Sequence, residues 1–307
     1  MSTKLFRLMP ANLTAILLIA VLISGCRSDK QKNGSNEITL DATELDAGLL
    51  DDISSAKQIF YSLPSPLETA LLIKSAGATY DEELLNPVDN TSNYTTNRSM
   101  ALNLGIYTTD LSFASLFDQT QTSIQYMNAA KQMADGLGIL DAIDNNTIER
   151  LEENINNRDV IMDIISETFM SSSSFLTENE RPALASIVLV GGWVEGLYIA
   201  SNMVGDESIK DNKLVERIVD QKLSFNIVIK LLEDNKDNSD VAGIMDGIND
   251  LKTTFDKITI TTTKIQVVPD EESNVTILKS ESTIDITPEV FKELQEKVKV
   301  LRTNFIS

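Results

Sequence analysis

Two aspartates, a glutamate and a cysteine carry most of the chemical potential of this 307-residue chain. If residues 102–125 are helical, Tyr107, Asp110, Ala114, Asp118, Gln121 and Gln125 share one face, with the two aspartates about two turns apart on it. Carboxylates paired in this way can perform general acid–base work or bind a hard cation. The competing reading is structural: they bond backbone groups beside a core formed by Ile106, Phe113, Phe117 and Ile124. Glu195 is the single charge between Pro182 and Val204. A buried carboxylate needs a counter-charge. Arg158 falls in the apolar seam of a helix expected over 147–169, so the sequence predicts a buried Arg158–Glu195 pair.

The residue inventory limits any reaction. With His 0, no Ser-His-Asp triad, Cys-His pair or His-ligated metal can form. With Cys 1, neither a disulfide framework nor a Cys-cluster site can form. An enzyme would have to use carboxylates, a Ser-Lys pair or a hard metal. The one Trp weakens a glycosidase reading. Asp234 to Asp240 is acidic like a calcium loop, but no register supplies both the Gly and the terminal Glu that such a loop needs. It reads as a solvated helix–helix connection capped by Ser239 and Asp240. Gly136-Leu137-Gly138 reads as a helix end. No metal or cofactor is expected. The net charge of -20 argues against a nucleic-acid partner.

The cysteine has a clearer role. Lys4 and Arg7 precede the apolar run 13–23, followed by Ser24-Gly25. Leu22-Ile23-Ser24-Gly25-Cys26 resembles the bacterial lipobox, with Ile23 where Leu is commoner. The resemblance implies a signal peptide over 1–25, cleavage before Cys26, and a diacylglycerol on its sulfur with palmitate-type acylation. Taking two positive leader charges from -20 leaves -22. Anionic headgroups would repel such a body, so the lipid on Cys26 is its expected hold on a membrane. Residues 26–40 are polar and read as a flexible tether.

Residues 41–307 have apolar spacings of three and four and predict a single helical domain. Helices are expected over 45–60, 67–76, 99–137, 147–169, 182–204, 212–232, 241–258 and 288–305. Short turns and loops lie between, including a helical turn at 81–85 and a loop at 89–97. The Ser171–Ser174 run should end the fourth of these helices, and Thr287 with Pro288 should start the last. The β-branched runs between 258 and 286 predict a small hairpin. The expected fold is therefore all-α, a bundle of about seven to nine helices with that hairpin. Residues 182–204 are long enough to span a membrane, and Gly192-Trp193-Val194-Glu195-Gly196 has the spacing of a dimerising face. A central buried helix is the better reading, with another helix approaching across Gly192, Gly196 and Ala200.

Two segments, Tyr61 to Glu68 (YSLPSPLE) and Ala101 to Gln121 (ALNLGIY…DLSFAS.FDQTQ), resemble uncharacterised helical lipoproteins of Bacteroidetes-type bacteria. The resemblance covers about 61–138 and implies a location without a catalytic residue. The expected role is a lipid-anchored binding or interaction module of the bacterial cell envelope, at the outer membrane, with an unknown protein or small-molecule partner. The alternatives are an envelope enzyme using carboxylates or a hard metal, and a structural lipoprotein that self-associates through Gly192 and Gly196.

Overall fold

The computed structural model describes Lys74 and residues 79–140, 145–204, 209–210, 212–262, 266–270, 275–279 and 282–307. The leader, the lipobox, the tether and the helix expected over 45–60 lie outside the described residues, as does that over 67–76 except for Lys74. The described chain is all-α with a small antiparallel hairpin. Its helices are α1 Asn97–Leu116, α2 Thr120–Gly136, α3 Asn145–Glu153, α4 Arg158–Glu178, α5 Pro182–Met203, α6 Lys213–Glu233, α7 Ser239–Phe255 and α8 Pro288–Ile306. Short 3-10 turns occupy Glu82–Leu84 and Val88–Asn93, the second overlapping all but its first residue with the stretch expected to be a loop.

Polar side chains start several helices by accepting otherwise orphaned backbone N–H groups. Thr96 and Ser99 form a reciprocal capping box on α1, each side chain accepting from the other's backbone at 3.1 Å. Asn212 caps α6, and Thr287 caps α8 just before Pro288. The 234–240 segment is a helix–helix connection as expected, although Asn238, rather than Ser239 or Asp240, supplies its cap.

α5 is the centre of the helical body. It packs against α1, α4, α6, α7 and α8, and nearly every turn carries buried residues. Among the described residues it is the one helix long and apolar enough to cross a membrane, and 72% of its most apolar window is buried in the body. Its contact with α1 is backbone on backbone. A Cβ on Gly105 would collide with the Val188 carbonyl oxygen, and one on Gly191 with the Leu102 carbonyl oxygen. The tight approach therefore centres on Gly105, Gly191 and Gly192, not on the expected stripe of Gly192, Gly196 and Ala200. At Gly196 the nearest atom to an added Cβ would be the Thr109 methyl at 3.9 Å, an ordinary contact. α1 packs on this face at Gly192, where an added Cβ would lie 3.2 Å from the Gly105 carbonyl oxygen and from the Thr109 hydroxyl. On another side of α5, Trp193 stacks on Phe225, which stacks on Phe255, with ring centroids 5.2 and 4.9 Å apart.

Two long helices expected from periodicity are each divided. The 99–137 stretch breaks at Phe117–Gln119, where Asp118 adopts a left-handed φ of 57°. Lys74 closes the end of α1 by donating to the Leu116 carbonyl at 2.8 Å. The 147–169 stretch breaks at 154–157, so Arg158 starts α4 and does not sit within a seam. α4 then continues through Ser171–Ser174 to Glu178. In the hairpin, β1 Thr259–Thr262 pairs with β4 Ser282–Asp285, and β2 Gln266–Asp270 pairs with β3 Val275–Lys279. Ile260 lies opposite Ile284, and both pack against the core.

Candidate functional site

Asp110 near the end of α1, Glu195 in α5 and Arg302 near the end of α8 form the most unusual group of charges in the body. Both carboxyl groups are 0% exposed and Arg302 only 7%. Arg302 grips Glu195 with both branches of its fork: Nε donates to Oε2 at 2.9 Å and Nη2 to Oε1 at 3.0 Å. Nη2 also donates to the Leu84 carbonyl at 3.1 Å, and the guanidinium lies 4.7 Å from the centre of the Tyr198 ring. Asp110 Oδ2 accepts the Asn86 backbone N–H at 3.2 Å, while Oδ1 has no donor among the described residues.

One guanidinium cannot neutralise two buried carboxylates, and an uncompensated buried charge is costly. Burial, followed by the nearby Glu195 carboxylate, pushes the Asp110 acid well above its ordinary range, and Arg302 pulls only partly the other way. Burial also raises Glu195, against the pull of its bonds to Arg302. The bidentate geometry makes Glu195 the ionised member. Asp110, which has no basic partner of its own and leaves Oδ1 without a hydrogen bond among the described residues, is then the neutral acid.

A polar shell locks this cluster in place. The Asn86 side chain donates to the Tyr94 hydroxyl and to Asn103 Oδ1, each at 3.0 Å. Asn103 in turn donates to the Phe305 carbonyl at 2.9 Å, and the Tyr94 hydroxyl to the Ile306 carbonyl at 3.2 Å. The free carbonyls at the end of α8 are thus satisfied by residues some two hundred positions away. Tyr107 donates to the Pro87 carbonyl at 3.1 Å. Burial pushes the Tyr107 and Tyr126 phenols far above their usual range and Tyr80 up to about 12, so all three stay protonated.

The expected functional face is therefore split. Tyr107 and Asp110 are sealed in the core, whereas Asp118 lies at the surface in the break of the helix and Gln121 at the surface just beyond it. The Asp118 side chain is 69% exposed, 3.7 Å from Lys74. The predicted Arg158–Glu195 pair does not form. Glu195 belongs to Arg302, and Arg158 makes an exposed contact with Asp159 at 3.3 Å. Sequence reasoning passed over Arg302, although a signal was present: it stands four residues after Val298 and three before Phe305, on the apolar stripe of the last helix.

Asp118 and Arg158 do meet the edge of a common feature. With Ser115, Gln119, Thr120, Ser123, Ile155 and Asn156 they line an open polar recess of about 240 Å³. Thr120 donates to Asn156 there at 3.0 Å. The recess can hydrogen-bond a small polar solute, but it brings no second carboxylate to Asp118. Among the described residues, no three His, Cys, Asp or Glu side chains are placed to hold a metal ion. Compared with known protein families, with curated proteins and with solved structures, the chain matches none.

Proposed function

We propose that this protein is a lipid-anchored helical interaction module of the bacterial cell envelope, held at the outer membrane through a lipid on Cys26. The observation that carries this reading is the placement of α5. Among the described residues, the one helix both long and apolar enough to cross a membrane serves as the packed centre of the body, and the lipobox-like run 22–26 offers a different attachment. Its buried carboxyl groups favour binding over catalysis, because Asp110 and Glu195 offer no face to a substrate. The partner is a protein or small molecule, and not a nucleic acid, because the net charge is -20.

Metabolic labelling with a clickable fatty-acid analogue, followed by membrane fractionation, tests the anchor. The wild-type chain should carry the label and sediment with membranes, and Cys26→Ala should lose both properties. An unlabelled wild type, or a Cys26→Ala chain that stays labelled, overturns the reading.

A further inference from the structure

We propose that Asp110, Glu195 and Arg302 form a proton-dependent lock, which holds α8 and the 84–94 segment closed while the two carboxyl groups share one proton and releases them locally when that proton is lost. The geometry carries the argument. Arg302 ties α8 to α5 through Glu195 and to the 84–94 segment through the Leu84 carbonyl. Asp110 ties α1 to the same segment through the Asn86 N–H. Three helices and one connecting segment therefore converge on a site that holds two acids and one base. The site is closed to water, since both acids are fully buried.

The other titratable groups around the cluster do not supply a second positive charge. α1 contributes Tyr107, α2 Tyr126 and α5 Tyr198, while the 79–94 segment contributes Tyr80, Tyr94 and the exposed Asp81 and Glu82. From α8 the charge is Arg302 itself. The phenols are held neutral, and the two exposed acids would add repulsion. When Asp110 ionises, opening is the remaining way to hydrate its carboxylate.

The sign follows from proton counting. The closed state holds the Asp110 proton above the ordinary carboxylate value of 3.8, and the opened state releases it there. The opened state thus binds fewer protons between that value and the raised value of the closed state. Closure is strongest below this window and weakens as pH rises through it, by up to about tenfold in the opening equilibrium per pH unit. Above the raised value the dependence levels off.

The test uses full-length protein in detergent. Hydrogen exchange of the amides in 85–94 and 302–306 is followed between about pH 5 and pH 8, with correction for the intrinsic rate. The opening equilibrium of the wild type should rise with pH by at least about tenfold over that range, whereas Asp110→Asn should change by less than about twofold. An infrared spectrum at neutral pH should contain a protonated-carboxyl band that Asp110→Asn lacks. Glu195→Gln, which leaves one acid for Arg302, should also remove that band, and it serves as the second probe if Asp110→Asn fails to fold. Equal pH slopes in wild type and Asp110→Asn, or no protonated-carboxyl band in the wild type, overturns the proposal.

Discussion

At Gly105 the backbones of α1 and α5 touch, and nothing but the absence of two Cβ atoms is needed to let them. Five residues further along α1, at Asp110, the same pair of helices meets through carboxyl groups. The glycine zone is complete with two helices. The carboxyl zone is incomplete until a third brings Arg302, 107 positions after Glu195. One interface therefore contains a contact that is sensitive to the volume of one carbon atom and another that is sensitive to charge and protonation. Neither tolerance predicts the other.

The comparison can be broken hardest from the charged side. Arg302→Leu leaves two buried acids without a base, and urea unfolding at neutral pH should show a loss of about 3–5 kcal/mol. That loss should shrink at acid pH, where Glu195 can also take up a proton; a loss independent of pH would mean that shape, and not charge, is what Arg302 supplies. Gly191→Ala probes the other zone. Its Cβ would meet the Leu102 backbone, which cannot move aside as a side chain can, so the cost should be about 3 kcal/mol with no pH dependence. Gly196→Ala sharpens the contrast with the smallest effect and the opposite sign. The methyl has room beside Thr109, and replacing a helical glycine by alanine should stabilise the protein by about 0.5–1 kcal/mol in the same measurement. A destabilising Gly196→Ala would show that the close-packed zone extends further along α5 than Gly192.

What the sequence made legible divides in the same way. Local signals read well: Pro182 and Pro288 opened helices, Thr287 capped one, and the β-branched residues between 258 and 286 made a hairpin. The burial of α5 was visible in its nearly charge-free composition. The break after α1 was not, because it turns on an aspartate at a left-handed φ with neither Gly nor Pro to mark it. The break before α4 had a signal in Asn154, Asn156 and Asn157, which the apolar spacing on either side obscured. The choice of Arg158 over Arg302 failed for a different reason. Both arginines follow apolar periodicity, and periodicity says that a side chain faces inward without saying which distant helix it will face. The partnership of Glu195 is a fact of tertiary structure, settled by how α8 lies across α5.

The remote closure of the end of α8 also orders events in time. While the chain emerges from the ribosome, α1 and α5 are complete long before Arg302 exists. During that interval Asp110 and Glu195 have no counter-charge, and the Asn103 and Tyr94 donors lack the carbonyls of Phe305 and Ile306. The charged part of the α1–α5 contact thus depends on a residue made long after both helices, whereas the glycine part depends on those two helices alone.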